Sequence, residues 1–174
     1  MMEGSQENRN FWRILANAGP GERFSLIVSS WFLCGLLPGA PGTFGTAAAV
    51  IVAFLTGTLP MAYRALILVG IIVLAMLTSS VSASALGKED PSEVVIDEVA
   101  GYLVAVFALP VSLVNFVLAF IFFRAFDILK PFPIAQVEKK VRGGIGIVLD
   151  DLLAGLFTFA VVKLILISIG GSLK

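Results

Sequence analysis

The sequence contains no histidine and only one cysteine, Cys34, among its 174 residues. Without histidine there is no histidine-ligated zinc, no Ser-His-Asp relay and no phosphohistidine intermediate. A cysteine phosphatase of the form C-x5-R would need arginine at position 40, where Ala40 stands. The D-x-D nucleophile motif of aspartate-based phosphatases is missing as well. These absences argue against each of these five hydrolytic designs.

Charged residues are also scarce, at 14% of the chain, whereas soluble domains carry roughly 25%. Hydrophobic residues make up 58%, which indicates a membrane protein. The formal net charge is zero, so we expect no nucleic-acid partner. We expect a polar N-terminal segment over residues 1–22, disordered or interfacial and without a cleaved signal peptide, and a membrane-embedded domain over residues 23–174.

Six apolar stretches are separated by charged or Pro- and Gly-rich segments. They are Phe24–Leu37, Phe44–Leu59, Ala65–Leu86, Val99–Leu109, Val111–Phe123 and Ile147–Ile169. None shows the period-two alternation of a barrel strand, so we predict an all-α, polytopic membrane helix bundle with short, kinked or re-entrant helices. Only the third and sixth reach the roughly 20 residues that a spanning helix needs. The fourth and fifth meet at Pro110, as either a helical hairpin or a Pro-kinked pair.

Positively charged residues concentrate around three segments, which predicts the orientation of the chain. Nine of the twelve are Arg9, Arg13, Arg23, Lys88, Arg124, Lys130, Lys139, Lys140 and Arg142. If residues 44–59 run outward and 65–86 return, then residues 23–43, 87–98 and 124–146 face one side. The positive-inside rule makes that side the cytoplasm.

Five carboxylates are immediately flanked by apolar segments in the sequence: Asp97, Glu98, Asp127, Asp150 and Asp151. A carboxylate that enters the bilayer persists only when it is paired, hydrated or metal-bound. Hard oxygen ligands suit Mg²⁺, which could neutralise phosphate oxygens and activate a bound water. We therefore predict a Mg²⁺ site among these five acids. The alternative is that they only pair with Arg124, Lys130 and Arg142 to anchor helix ends.

The segment FRAFDILKPFPI (123–134) supplies basic groups for a phosphate. Arg124, Asp127 and Lys130 lie at i, i+3 and i+6, so on a helix neighbouring pairs share a face, and Pro131 and Pro133 then stop the helix. Arginine offers forked donors and lysine a compact charge, which together could hold a phosphomonoester. Interfacial snorkelling by the two cations is the alternative.

Two glycine-rich segments could present backbone N–H groups to a phosphate. RGGIGIVLDDLLAG (142–155) places Gly144 before a helix that carries the paired aspartates, and PGAPGTFGT (38–46) is a second loop with Thr43 and Thr46 as hydroxyl donors. Simple turns are the alternative for both. Gly101 and Gly155 each lie four residues after an acid, which would allow close helix packing behind the carboxylates.

In this order, PGAPGTFGT, DPSEVVIDEVAG (90–101), FRAFDILKPFPI and RGGIGIVLDDLLAG resemble the phosphatidylglycerophosphatase A family over about residues 30–160. The resemblance implies a multi-pass, Mg²⁺-dependent enzyme of the bacterial inner membrane that converts phosphatidylglycerophosphate to phosphatidylglycerol and inorganic phosphate. By position, it places the family's acidic pair on Asp97 and Glu98, downstream of Asp90. It also places a D-x-x-K-P element on Asp127, Lys130 and Pro131, and the paired aspartates on Asp150 and Asp151. Arg142 stands where some members carry histidine.

These observations lead to one preferred hypothesis, in which Asp97, Glu98, Asp127 and Asp151 are catalytic and either Asp97 or Asp151 is the general base. The expected substrate contacts are Arg124, Lys130, Thr43, Thr46, Arg142 and Gly144. A cation- or proton-coupled transporter is the main alternative, although its acids should lie near the midplane of long helices. A lipid phosphotransferase would carry D-G-x-x-A-R, which is missing. The sequence leaves the oligomeric state open.

Overall fold

The computed structural model of the chain describes residues 3–140 and 144–171, with side chains for residues 8–137 and 145–169. The described residues form α-helices and one short 3-10 turn, with no strand among them, so the all-α prediction is confirmed. The helices are α1 (Glu3–Asn17), α2 (Pro20–Ser29), α3 (Pro41–Thr56), α4 (Met61–Leu86), α5 (Ile96–Val106), α6 (Leu113–Leu129), α7 (Ile134–Lys140) and α8 (Gly144–Gly171).

Helices α4 and α8 are long and apolar enough to cross a membrane, over Met61–Leu86 and Ile145–Ile169. A helix of 26 residues reaches about 39 Å at a rise of 1.5 Å per residue, which exceeds the ~30 Å hydrocarbon core. Their outer faces carry exposed leucines, including Leu66, Leu77 and Leu164. Such apolar surface suits contact with lipid better than contact with water.

Helix α5 lies at the centre of the bundle and packs against α3, α4, α6 and α8. It has only 11 residues, and nine of them are buried, including Ile96, Val99 and Tyr102. A helix that is apolar all round is stable only when neighbours cover it on every side. The Tyr102 hydroxyl donates a hydrogen bond of 2.9 Å to the carbonyl of Phe116 on α6, which holds the two helices together.

Helices α5 and α6 form a hairpin, which settles the alternative that the sequence left open at Pro110. Residues 107–112 connect the two helices. The Ser112 hydroxyl accepts a hydrogen bond of 3.3 Å from the backbone N–H of Asn115 and so caps α6. The Asn115 side chain donates to the Pro110 carbonyl at 2.8 Å, so the connection is a defined turn.

The prediction of one helix over residues 24–37 is wrong beyond Ser29. Residues 31–33 have positive φ angles, and Cys34–Leu36 form the 3-10 turn. The Ser29 carbonyl, which a continuing helix would bond to residue 33, instead accepts the N–H of Val95 at 2.9 Å. A segment far away in sequence therefore takes the acceptor that a continuing helix would use.

The N-terminal segment, for which we expected disorder or an interfacial position, forms helix α1 over Glu3–Asn17. Phe11 is almost completely buried in a small second core that contains Leu26 and Leu86. The neighbouring Trp12 remains half exposed. Helix α1 is thus attached to the ends of α2 and α4 by an apolar contact that includes Phe11, Ile14 and Leu15.

Candidate active site

Three carboxylates meet where the first turn of α5 faces the second turn of α8. Asp97 and Glu98 follow the first residue of α5, and Asp151 lies on α8. One carboxylate oxygen from each residue lies within 4.8 Å of the others. Asp97 and Asp151 are buried and Glu98 is half-buried, so this acidic triad could bind a metal ion.

Two glycines bring the helices that carry the triad close together. Gly101 lies one turn after Asp97, and Gly155 lies one turn after Asp151. A Cβ atom built on Gly101 would lie 2.5 Å from the carbonyl oxygen of Asp151, and one built on Gly155 would overlap the carbonyl oxygen of Gly101. Close helix packing behind the acids, which the spacing predicts, is therefore confirmed.

The donor atoms of the triad fit a hard divalent cation. Oδ1 of Asp97 and Oε2 of Glu98 are buried without a hydrogen-bond partner among the described residues. Burial, and then the nearby Glu98, raise the pKa of Asp97 well above its usual range. Burial and the neighbouring Asp151 raise the pKa of Glu98 to about 8. Clustered acids of this kind require protons or a cation between them, and carboxylate oxygens are the ligands that hard divalent metals prefer.

An arginine and a fourth acid border the triad on helix α6. Arg124 Nη1 lies 2.5 Å from Oδ2 of Asp127 and 3.9 Å from Oε1 of Glu98. The Asp127 carboxyl group also lies beside that of Asp151. The predicted i, i+3 pair therefore exists, and it joins α6 to the acids of α5 and α8.

Lys130 pairs with Asp150 rather than with Asp127. Its Nζ atom lies 2.7 Å from Oδ2 of Asp150, whose side chain is 8% exposed. Lys130 ends α6 with a left-handed φ of 41°, and the following Pro131 disfavours the helical conformation at this position. The expectation that Asp127 and Lys130 share a helix face is wrong, because α6 ends at Leu129, and this cation reaches the paired aspartates from the end of the helix.

The prediction that residues 38–46 form a loop is wrong from Pro41 onward, where α3 begins. Proline suits the first position of a helix because its missing N–H has no partner there in any case. Thr43 is half-buried in the first turn of α3. Thr46 is completely buried, and its hydroxyl donates to the carbonyl of Gly42 at 2.8 Å. Thr46 therefore uses its hydroxyl proton within α3.

Gly42 is a site residue that we did not predict. A Cβ atom built on it would overlap Oε1 of Glu98 and lie 2.9 Å from Nη1 of Arg124. The start of α3 is thus in contact with the acidic triad and its neighbouring arginine. Gly42 and Gly45 lie three residues apart at the start of a helix, which was the available signal.

Two further predicted contacts precede or begin helix α8. Gly144 is its first residue. Arg142 lies outside the described residues. The structure therefore brings together Asp97, Glu98, Asp127, Asp151 and Arg124, and joins Lys130 to Asp150 beside them.

Comparison with known proteins identifies the chain that carries this site. Residues 27–166 match the family described as phosphatidylglycerophosphatase A. The chain belongs to this family. It is therefore a phosphatidylglycerophosphatase, a phosphoric monoester hydrolase, and the transporter alternative is not supported.

Named relatives cover most of the chain. The phosphatidylglycerophosphatase A of Escherichia coli (strain K12) is 35% identical over 136 residues, which are 77% of this chain and 78% of that protein. The phosphatidylglycerophosphatase A of Haemophilus influenzae is 35% identical over 133 residues, 75% of this chain and 82% of that protein. A Bacteroides thetaiotaomicron protein named as a candidate phosphatidylinositol-3-phosphatase is 31% identical over 144 residues, 79% of this chain and 90% of that protein. No solved structure matches the chain.

Proposed function

We propose that the chain removes the terminal phosphate of phosphatidylglycerophosphate by Mg²⁺-dependent hydrolysis at the acidic triad of Asp97, Glu98 and Asp151. The convergence of these three carboxylates from two helices carries the proposal. The chain has no histidine and no C-x5-R loop, so carboxylates with a metal are the chemistry that remains for cleaving a phosphate ester. The products are phosphatidylglycerol and inorganic phosphate.

Mg²⁺ is the cation that best suits these ligands, because it takes one or two carboxylates together with waters and substrate phosphate oxygens. Asp97 Oδ1 and Glu98 Oε2 have no hydrogen-bond partner among the described residues and would serve as ligands. Asp127 and Asp150 lie next to the triad and are proposed as outer members of the site. When bound, the ion supplies charge neutralisation and lowers the pKa of a water.

The chain itself must accept the proton of the attacking water. Asp97 and Asp151 are both buried members of the triad, and each remains a proposed general base. A general base must come within about 3 Å, between heavy atoms, of the water that it deprotonates. Asp127 would orient Arg124 through their 2.5 Å ion pair.

The phosphate group would be held from two sides. Arg124 presents a planar set of donors beside the triad, and Lys130 adds a compact charge beside Asp150. The start of α3 contributes Thr43 and the positive end of a helix dipole. Gly144, the first residue of α8, and Arg142, two residues before it in sequence, are proposed as further contacts. Thr46 would support α3 rather than touch the substrate, since its hydroxyl proton is bonded within the helix.

The membrane position follows from the two long helices and from the charge pattern. We propose that residues 23–174 lie in the bacterial inner membrane as a multi-pass domain, with residues 1–22 at the interface and the acidic triad facing the cytoplasm. The lipid tails would stay in the bilayer while the headgroup reaches the triad. No soluble carrier is then required.

Substrate preference and metal dependence test this function. Purified protein in mixed micelles should release phosphate from phosphatidylglycerophosphate, lose this activity in EDTA and recover it with Mg²⁺. Phosphatidic acid and phosphatidylinositol 3-phosphate, at equal concentration, should react more slowly. Full activity in EDTA, or a faster reaction with either of the other two lipids, would refute the proposed function.

A further inference from the structure

We infer that Gly42 is a positioning residue, whose missing side chain allows Glu98 and Arg124 to take the places they hold at the acidic triad. This inference rests on the proposed metal site. It adds a residue on a third helix, α3, to a triad carried by α5 and α8.

The close approach at Gly42 involves the ends of two long side chains. A Cβ atom there would overlap Oε1 of Glu98, and it would lie 2.9 Å and 3.2 Å from Nη1 and Nη2 of Arg124. Real Cβ atoms do not come so near to other heavy atoms, so a methyl group must displace its neighbours. Both neighbours can move by rotating their side chains, and the backbone can stay in place. The carboxylate would then leave the triad at little expense to the fold.

Gly45, one turn further along α3, is in contact with a rigid neighbour instead. A Cβ atom at Gly45 would lie 2.7 Å from Cβ of Val95 and 3.2 Å from its carbonyl oxygen. These atoms can move only if the backbone moves. An added methyl group at Gly45 should therefore strain the packing of α3 on the residues before α5, without touching any carboxylate of the triad.

Gly70 on α4 provides a reference for the glycine-to-alanine substitution itself, because nothing lies within 4 Å of a Cβ atom built there. The same substitution, glycine to alanine, can thus be made at three helical positions with three different surroundings. This set separates an effect on the metal site from an effect on stability.

The test measures Mn²⁺ binding by electron paramagnetic resonance, and thermal unfolding, on the full chain in detergent. We expect Gly42→Ala to weaken Mn²⁺ affinity by about 10-fold or more while the melting temperature stays within about 2 °C of the original chain. Gly45→Ala should lower the melting temperature by about 2–8 °C and keep the affinity. Gly70→Ala should keep the affinity and leave the melting temperature unchanged or slightly higher, because alanine is the better helix former. Unchanged affinity in Gly42→Ala, or a melting temperature that falls as it does in Gly45→Ala, would overturn the inference.

A second substitution tests the contact itself. Glu98→Asp shortens the carboxylate by one methylene group, so the methyl group of Gly42→Ala should no longer meet it. We expect the double variant Gly42→Ala/Glu98→Asp to bind Mn²⁺ about as well as Glu98→Asp alone. If the two substitutions instead lowered Mn²⁺ affinity additively, the contact between residues 42 and 98 would not be the cause of the loss. If the original chain bound no Mn²⁺, the proposed metal site would fail. If the original chain and Gly42→Ala bound it equally, only the role of Gly42 would fail.

Discussion

Gly101 and Gly155 meet where α5 crosses α8, so closely that a side chain on Gly155 would overlap the carbonyl oxygen of Gly101. Each glycine lies one helical turn after an acid of the triad, namely Asp97 and Asp151. The distance between the two helix axes at this crossing therefore also sets the distance between the two carboxylates. A metal site built from rigid helices depends on such a fixed separation.

Widening this crossing should weaken both the fold and the metal site. Gly101→Ala would place a Cβ atom 2.5 Å from the carbonyl oxygen of Asp151 and 2.8 Å from the ring of Phe123, so the helices must separate. We expect the free energy of unfolding in detergent to fall by about 1–3 kcal/mol, with a parallel loss of activity. Gly70→Ala serves as the control. A stable and fully active Gly101→Ala protein would show that the crossing has no such role.

The Lys130–Asp150 pair should reveal whether this lysine binds substrate or only neutralises an acid. Lys130→Met removes the cation that pairs with the buried carboxylate of Asp150 at 2.7 Å, and we expect a loss of about 1–3 kcal/mol of stability. The double variant Lys130→Met/Asp150→Asn should recover most of that loss, because both charges are then removed.

Kinetics distinguish the two roles of Lys130. If the lysine holds the phosphate, KM for phosphatidylglycerophosphate stays raised in the double variant even though stability returns. If KM returns to its original value together with stability, Lys130 only neutralises Asp150 and does not bind the phosphate. Asp150→Asn by itself provides the reference for loss of the acid.

The proposed topology places the two ends of α4 on opposite sides of the membrane. In a Cys34→Ala background, Glu89→Cys should be protected from a membrane-impermeant maleimide in intact cells, and Thr58→Cys should be labelled. Both positions are exposed, so each cysteine is accessible on its own side. After the membrane is permeabilised, Glu89→Cys should react as well. Labelling of Glu89→Cys in intact cells would show that the orientation is opposite to the one proposed.

The sequence predicts the acids of the candidate site because a carboxylate next to apolar residues needs a partner. Asp97, Glu98 and Asp151 were identified in this way, together with Asp127 and its helical neighbour Arg124. A carboxylate loses hydration free energy when it enters an apolar environment, whatever the rest of the fold is. Its apolar sequence neighbours are therefore enough to identify it as a candidate. The ordered motifs then identified the family.

The sequence could not predict where the apolar stretches stop being helical. Hydropathy reports burial, whereas the end of α2 depends on a hydrogen bond between Ser29 and the distant Val95. The start of α3 was missed because glycine and proline are typical of turns as well as of helix starts. The close contact at Gly42 is visible only once Glu98 and Arg124 approach it from two other helices.

The most direct test of the account measures Mg²⁺-dependent phosphate release from phosphatidylglycerophosphate by the variants Asp97→Asn, Glu98→Gln and Asp151→Asn. Glu89→Gln, an exposed acid outside the triad, is the control. We expect each triad variant to lose more than about 100-fold in activity and to need more Mg²⁺ for what remains, with Glu89→Gln unchanged. Asp97→Asn protein that kept its activity and its Mg²⁺ requirement would contradict the assignment of the metal site to the triad.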